Sequence, residues 1–473
     1  MRLTRSALVL TTALLAPPAL LAVQPAHAQT LQEALAQAYA NSPTLLTARA
    51  RLRATDENVP QALAGWRPTV TITATAGVTD SATRSSGFTT VTDRNLTTGS
   101  ITITQPIFRG GRTVASTRQA ENQVLAERAR LLATEQQVLQ DSVNAYVAVI
   151  RDQELLRLQI NNEQVLTEQL RATNERFRVG EITRTDVAQA ESRLAGARSE
   201  RANAEGQLQI SRATFQRLVG VPPQRLTAPQ PLRAPVQSAQ EAAQLAAGNN
   251  PNVVAALFDE AAARDNVDVQ ISALLPQVSL QGQTFQNDNS ALPDTRQSGS
   301  QLIASLSVPI YQGGAEYALV RQARQQAVQQ RQMVADQRRL AAQQATQAWE
   351  QLQAARAQVD SVRAQIRAAE IALDGVQREA IVGSRTTLDV LNAEQELLNA
   401  RTNLVQALAT VVSQSYVLAS AVGRLTAQDL GLPVELYDMR AYYLKVRNRW
   451  IGLGESVEAP DESVAPQVVP VAR

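Results

Sequence analysis

Residues 112–179 read RTVASTRQAENQVLAERARLLATEQQVLQDSVNAYVAVIRDQELLRLQINNEQVLTEQLRATNERFRV, 68 positions without a glycine or a proline. As one continuous helix this stretch would reach roughly 100 Å, a length that single globular domains seldom hold. A second stretch of the same length, residues 315–382, has no proline and one glycine, Gly375. Both open after a Gly-Gly pair (Gly110-Gly111, Gly313-Gly314) and both stop at Val-Gly (Val179-Gly180, Val382-Gly383). The chain reads as two copies of one long-helix unit.

Working outward, the punctuation residues of the two halves align. Asn41-Ser42-Pro43 recurs as Asn249-Asn250-Pro251 and Pro68 as Pro276, each 208 positions later. Pro106-Ile107-Phe108 recurs as Pro309-Ile310-Tyr311, and Asp186-Val187 as Asp389-Val390, now at a spacing of 203. Agreement of this many anchors identifies a duplication. The expected layout is a first repeat over residues 29–236 and a second over 237–425. The first holds strands at about 69–79 and 97–108 and helices at about 112–178 and 184–219. The second holds strands at about 277–286 and 300–310 and helices at about 315–381 and 387–423. Short helices open each half, and Ser42 or Asn250 is placed to cap the next one, with proline in its first turn.

The strands are assigned on period-two patterning. Thr69-Val70-Thr71-Ile72-Thr73-Ala74 and Ser100-Ile101-Thr102-Ile103-Thr104 alternate hydroxyl and apolar residues, and Gln277-Val278-Ser279-Leu280 and Ser305-Leu306-Ser307-Val308 do likewise. Polar loops are expected at 80–95 and 287–299. Ten residues with one greasy and one polar face match a membrane-barrel strand. Four strands cannot close a barrel, and lipid does not tolerate open edges. Other copies of the chain must therefore complete the sheet; three would give twelve strands, although the strand count by itself leaves two or four open.

On the helices, Leu125, Leu132, Leu139 and Tyr146 are spaced by seven, as are Leu391, Leu398, Val405 and Val412. Such stripes, doubled by apolar neighbours, suit helices that each pack on two others. They suit a coiled-coil spacer equally well, so a non-conducting structural or surface-stalk protein stands as the alternative reading. The strands separate the two. Residues 404–422 resemble a membrane helix in composition, but Gln406, Ser413, Gln414 and Ser415 argue for a packed one.

Composition narrows the function. Arg2, Arg5, an apolar run over residues 7–23 and Ala26-His27-Ala28 form a signal peptide, residues 1–28. Its removal takes two basic residues from the 45 and none of the 43 acids, so the remainder is neutral and nothing argues for nucleic acid. The only histidine, His27, lies in the signal, and the chain has no cysteine, which excludes disulfides and a lipid-anchored cysteine. Imidazole and thiol chemistry are therefore absent, and no catalytic, metal or cofactor site is expected.

The two turns carry a family resemblance. Phe177-Arg178-Val179-Gly180-Glu181-Ile182-Thr183-Arg184-Thr185-Asp186-Val187 resembles the first tip of outer-membrane efflux proteins of the TolC family. Val382-Gly383-Ser384-Arg385-Thr386-Thr387-Leu388-Asp389-Val390-Leu391-Asn392 resembles the second. The resemblance implies an α+β membrane protein. Its homotrimer would form a 12-stranded β-barrel in outer-membrane lipid, continuous with a 12-helix α-barrel in the periplasm. It further implies a passive export duct for small toxic molecules or type I secreted proteins. Its partners would be a periplasmic adaptor and an inner-membrane ABC or proton-driven pump. Carried onto these positions, Asp389, Asp186, Arg385, Thr185 and Asn392 form the constriction. Arg385 is expected to pair with Asp186 or Thr185, and Asp389 of each subunit to form an anionic ring. Asn392 stands where the family often has a second acid. Val179, Gly180, Glu181, Thr183, Val382, Gly383, Ser384 and Thr386 form the adaptor-docking tips. Residues 426–454 hold Tyr437, Tyr442, Tyr443, Trp450 and the only lysine, Lys445, and read as a patch folded on the helices. Residues 455–473 read as a disordered tail.

Overall fold

The two long stretches are helices along their whole length. In the computed structural model, which describes residues 29–290 and 294–454, α1 is Leu31–Asn41, α2 Pro43–Asp56, α3 Asn58–Leu63, α4 Arg112–Arg178, α5 Arg184–Val219, α6 Ala239–Asn249, α7 Pro251–Ile271, α8 Ala315–Ile381, α9 Thr387–Ala421 and α10 Ala441–Val446. The signal peptide and the tail lie outside the described residues. Both α4 and α8 are 67 residues long, and both begin after a glycine in the left-handed conformation, Gly111 (φ 81°) and Gly314 (φ 86°).

Asn250 caps α7 by accepting the Asn252 N–H at 2.9 Å, whereas Ser42 makes no side-chain cap to α2. The helix that follows Ser42 is broken at Glu57, where α3 restarts with Pro60 in its first turn and a 3₁₀ turn, Ala64–Trp66, follows. A proline cannot donate to the preceding turn, and the second half, which has none here, keeps α7 continuous to Ile271.

Four antiparallel strands form one sheet in the order β1 (Thr69–Ser85), β2 (Phe88–Arg109), β3 (Gln277–Asp288), β4 (Arg296–Ser307). Cross-strand register puts Val70, Ile103, Gly282 and Leu302 in one row and Thr71, Thr102, Gln283 and Gln301 in the next. One face is therefore apolar and the other hydroxyl- and amide-bearing, with Gln301 donating to Gln283 at 2.6 Å. The expected loop at 80–95 is instead strand: β1 and β2 stay paired up to Ser85↔Phe88. Ser86 (φ 50°) and Gly87 (φ 88°) both adopt the left-handed geometry of a two-residue hairpin turn. Threonine-rich flanks then carry the ladder beyond β3, which pairs with β2 only from Thr97 downward. Outer edges of β1 and β4 are unpaired in the single chain, and three copies close them into twelve strands.

Helix α7 lies over α4 and α8, and α9 contacts the same two helices, so α7 and α9 follow each other along one line of the wall. Gly423 (φ 81°) makes that junction possible, because a Cβ there would stand 2.6 Å from the Asn249 carbonyl oxygen. Around the middle of the wall, α1, α6, the 220–238 segment and the C-terminal segment form a belt. Its core joins Leu35, Tyr39, Leu139, Val143, Tyr146, Phe215, Val412 and Leu425. Tyr146 donates to the Gln29 carbonyl at 2.8 Å and so anchors the described N-terminus.

The C-terminal segment is held onto α2 and α4. Tyr442 donates to Glu57 at 2.7 Å, Arg447 bonds Glu121 at 3.1 Å, and Arg128 stacks 5.2 Å from the Tyr443 ring centroid. Although α9 is apolar and long enough to cross a membrane by composition, it packs in the helical wall. Along α8, Val328, Met333 and Leu340 are exposed in the single chain.

Candidate functional site: the two helical tips

Each tip is a helix stop followed at once by a capped helix start. In the first, Gly180 (φ 79°) closes α4: the Glu181 N–H bonds Arg176 O at 3.0 Å and the Gly180 N–H bonds Phe177 O at 3.0 Å. In the second, Ser384 N–H bonds Glu379 O at 3.0 Å and Gly383 (φ 81°) N–H bonds Ala380 O at 3.2 Å. Paired bonds of this kind satisfy the last carbonyls of a helix and require the left-handed residue that glycine supplies.

The following helices begin with capping boxes. Thr183 Oγ1 accepts the Asp186 N–H at 3.4 Å while the Asp186 carboxylate accepts the Thr183 N–H at 3.0 Å and its hydroxyl at 2.7 Å. Thr386 and Asp389 repeat the arrangement at 3.3, 3.0 and 2.8 Å. Asp186 is held below the usual carboxylate range, chiefly by the Thr183 hydroxyl and then by its N–H. For Asp389 the Thr386 N–H comes first and the hydroxyl second. Both acids are thus ionised across the neutral range and fixed in position by their own turns.

Arg385 is tied within its own tip. Its guanidinium bonds Glu379 of the same tip at 2.8 Å, and no bond to Asp186 or Thr185 forms within the chain. Arg385 lies six positions after Glu379, and the reversing turn brings the two side chains together. The first tip ties itself with the opposite polarity: Arg176, which occupies the position of Glu379, bonds Glu181 at 2.6 Å. Thr185 is exposed in the first turn of α5.

What joins the two tips is a contact that sequence reasoning missed. Arg193 of α5 donates to the Asn392 side-chain oxygen of α9 at 2.9 Å. Beneath it Leu166, Leu194, Ala197 and Leu391 form a small core shared by α4, α5 and α9. The signal was present as an arginine seven residues after Asp186, but pairing it with Asn392 needed the α5–α9 approach. Glu394 was also missed; it lies two residues beyond Asn392, and burial pushes its carboxyl up. At the outer surface Val179, Ile381 and Val382 are 79%, 83% and 79% exposed.

An amphipathic sheet continuous with a 100 Å helical wall (roughly, at 1.5 Å per residue), closed by capped tips, defines an outer-membrane channel subunit with a periplasmic tunnel. The sequence matches the family described as outer membrane efflux protein over residues 34–221 and 242–424. It is 38% identical to the outer membrane efflux protein BepC of Brucella suis over 91% of this chain and 93% of that protein. It is 26% identical to the outer membrane protein TolC of Vibrio cholerae over 85% and 92%. Among solved structures, the outer-membrane channel OprN aligns with a TM-score of 0.72 at 21% identity, over 83% of this chain and 89% of that one. The chain belongs to the outer membrane efflux protein family. It is therefore not an enzyme but the outer-membrane channel of a tripartite export system, a homotrimer that works with a periplasmic adaptor and an inner-membrane pump.

Proposed function

We propose that the channel is gated where the two tips of each subunit converge, and that the Arg193–Asn392 bond holds the tips of one subunit together. That bond is the observation that carries the reading, since it is the side-chain tie between the two repeats at this level of the wall. Asp389, fixed by its capping box, supplies one carboxylate per subunit, so three line the trimer's entrance as an anionic ring. Asp186 and Thr185 flank it on the first tip. Arg385, engaged with Glu379, stiffens the second tip and is available to a neighbouring subunit only if that bond opens.

The exposed apolar groups of Val179 and Val382, with Gly180, Glu181, Thr183, Gly383, Ser384 and Thr386 around them, form the surface an adaptor grips. Docking there would pull on the turns and strain the Arg193–Asn392 tie, which converts adaptor binding into opening. Transport itself is passive; the energy comes from the pump. The two repeats act as the mechanical units, 29–236 and 237–425, with 426–454 as an external strap.

The test is single-channel conductance of the trimer in planar bilayers. Arg193→Ala and Asn392→Ala raise it, and Asp389→Ala weakens block by multivalent cations, which an anionic constriction binds. Unchanged conductance in the first two variants together with unchanged block in the third would sink the proposal.

A further inference from the structure

The C-terminal segment ends beside the barrel. From the belt it runs along α2 and α4, where Val446 is buried and Tyr443 packs against Val59, Ala120 and Val124. It then reaches Arg67, which donates to the Arg449 carbonyl at 2.7 Å and holds its guanidinium 5.0 Å from the Trp450 ring centroid. Arg67 stands three residues, about 10 Å, before Val70, which belongs to the apolar face of the sheet. Its neighbour Trp66 is fastened to the sheet by Gln105, which donates to the Trp66 carbonyl at 2.9 Å. Twelve helices spaced by about 10 Å make a ring about 38 Å across. Three belts with their C-terminal segments would fill the inside of such a ring. They therefore lie outside it, and Trp450 stands where the wall enters the membrane.

The end of the segment is apolar, basic and uncovered. Trp450 is 66% exposed, Ile451 89%, and Leu453 is fully exposed. Residues 447–454 contain two arginines and no acid; acids resume at Glu455. Arg447 is engaged with Glu121. Among the described residues no carboxylate meets Arg67 or Arg449, whose bonds go to the backbone carbonyls of Arg449 and Ile451. Three large apolar side chains exposed within four residues are unfavourable in water. Beside a barrel the same residues reach the level of headgroups and upper acyl chains, where tryptophan is at home.

We infer that residues 449–453, backed by Arg67, form a foot that enters the periplasmic leaflet of the outer membrane and binds anionic phospholipid there. Trp450, Ile451 and Leu453 supply the apolar contact, and the guanidiniums of Arg449 and Arg67 meet the phosphate. The foot is continuous with the lipid-facing side of β1, so one surface of the membrane covers both. Its shaft is pinned to Glu57 and Glu121, so lipid held by the foot braces the upper helical wall against the leaflet. The inference rests on the barrel lying in the membrane and adds a lipid site outside the barrel.

The experiment uses the full-length trimer carrying Trp66→Phe and Trp349→Phe, which leaves Trp450 as the chain's only tryptophan. It is placed in phosphatidylcholine nanodiscs in which part of the lipid is brominated phosphatidylcholine or brominated phosphatidylglycerol. Bromine carried near the headgroup should quench Trp450 emission, and aqueous acrylamide should not reach the ring. Phosphatidylglycerol should compete about fivefold better than phosphatidylcholine, the preference one arginine confers at an anionic surface. Arg449→Gln should bring that ratio close to unity while the bromine quenching stays, and Arg67→Gln should free the ring and admit acrylamide. Conductance in planar bilayers reports separately whether a channel has formed. In a conducting trimer, a Trp450 open to acrylamide and untouched by bromine would overturn the inference. A ring shielded from both quenchers would do so too, and would mark the foot as covered by a neighbouring copy. Equal competition by the two lipids, or a ratio unchanged in Arg449→Gln, would exclude the phosphate contact.

Discussion

Replacing Asp56 by asparagine should tighten the C-terminal strap at neutral pH and leave it unchanged in mild acid. Asp56 ends α2 at 1% exposure, and neither carboxylate oxygen has a hydrogen-bond partner. Burial pushes its pKa up from 3.8 to about 6; Arg128 of α4 pulls it down, and Glu57 adds a smaller upward push. Around it stand Arg53 and Arg49 on α2, and Tyr437 and Tyr442 of the strap. The folded chain keeps the proton up to about pH 6, whereas the unfolded chain releases it near 3.8. This contribution to stability is therefore fully present below 3.8 and is lost as pH rises through 6.

A rise of that size corresponds to at most about 3 kcal/mol. Asparagine also deprives Arg128 of its counter-charge, so the net gain at pH 7.5 is about 1–2 kcal/mol, a factor of about 5–30 in the opening equilibrium. Hydrogen exchange of the α10 amides, read by mass spectrometry on the full-length trimer, measures that opening locally. After correction for intrinsic exchange, wild type should gain protection between pH 7.5 and 5, while Asp56→Asn should be protected at both. Equal protection of the two proteins at pH 7.5, or a wild-type strap indifferent to pH, would refute the reasoning.

Other perturbations have equally definite outcomes. Thr183→Ala removes the acceptor that caps α5 and should cost about 1 kcal/mol locally, seen as faster exchange of the first-turn amides of α5 with little change in α8. Gly423→Ala forces a side chain to within 2.6 Å of the Asn249 carbonyl at φ 81°; the strain, about 1–3 kcal/mol, should lower the temperature at which the trimer dissociates in detergent. Glu379→Ala frees Arg385, so it should alter channel conductance in the same direction as Arg385→Ala if their bond stiffens the tip; opposite signs would exclude that role.

The duplication and the long helices were readable because their signals are local. Glycine and proline mark where a helix must stop, and an unbroken run between them has one regular solution. Alternation from Thr69 to Ala74 likewise announced strands, but their true length depended on the Ser86-Gly87 turn, whose geometry lets a polar ribbon continue to Ser85 where composition alone suggested a loop. The threonine-to-aspartate spacing of both capping boxes was also visible. Its acids read first as gate residues because the same carboxylate can serve a turn and a pore.

By itself the sequence determined the repeated rod, the four amphipathic strands and the lack of thiol chemistry, since each follows from residue type and short-range spacing. Only the tertiary structure decided that Arg385 turns back to Glu379, that Arg193 meets Asn392, and that Trp450 comes to rest on Arg67 beside the first strand. Those pairings depend on which helices lie side by side. Helix neighbours are chosen by the summed packing of whole faces, which no single stretch of the chain encodes.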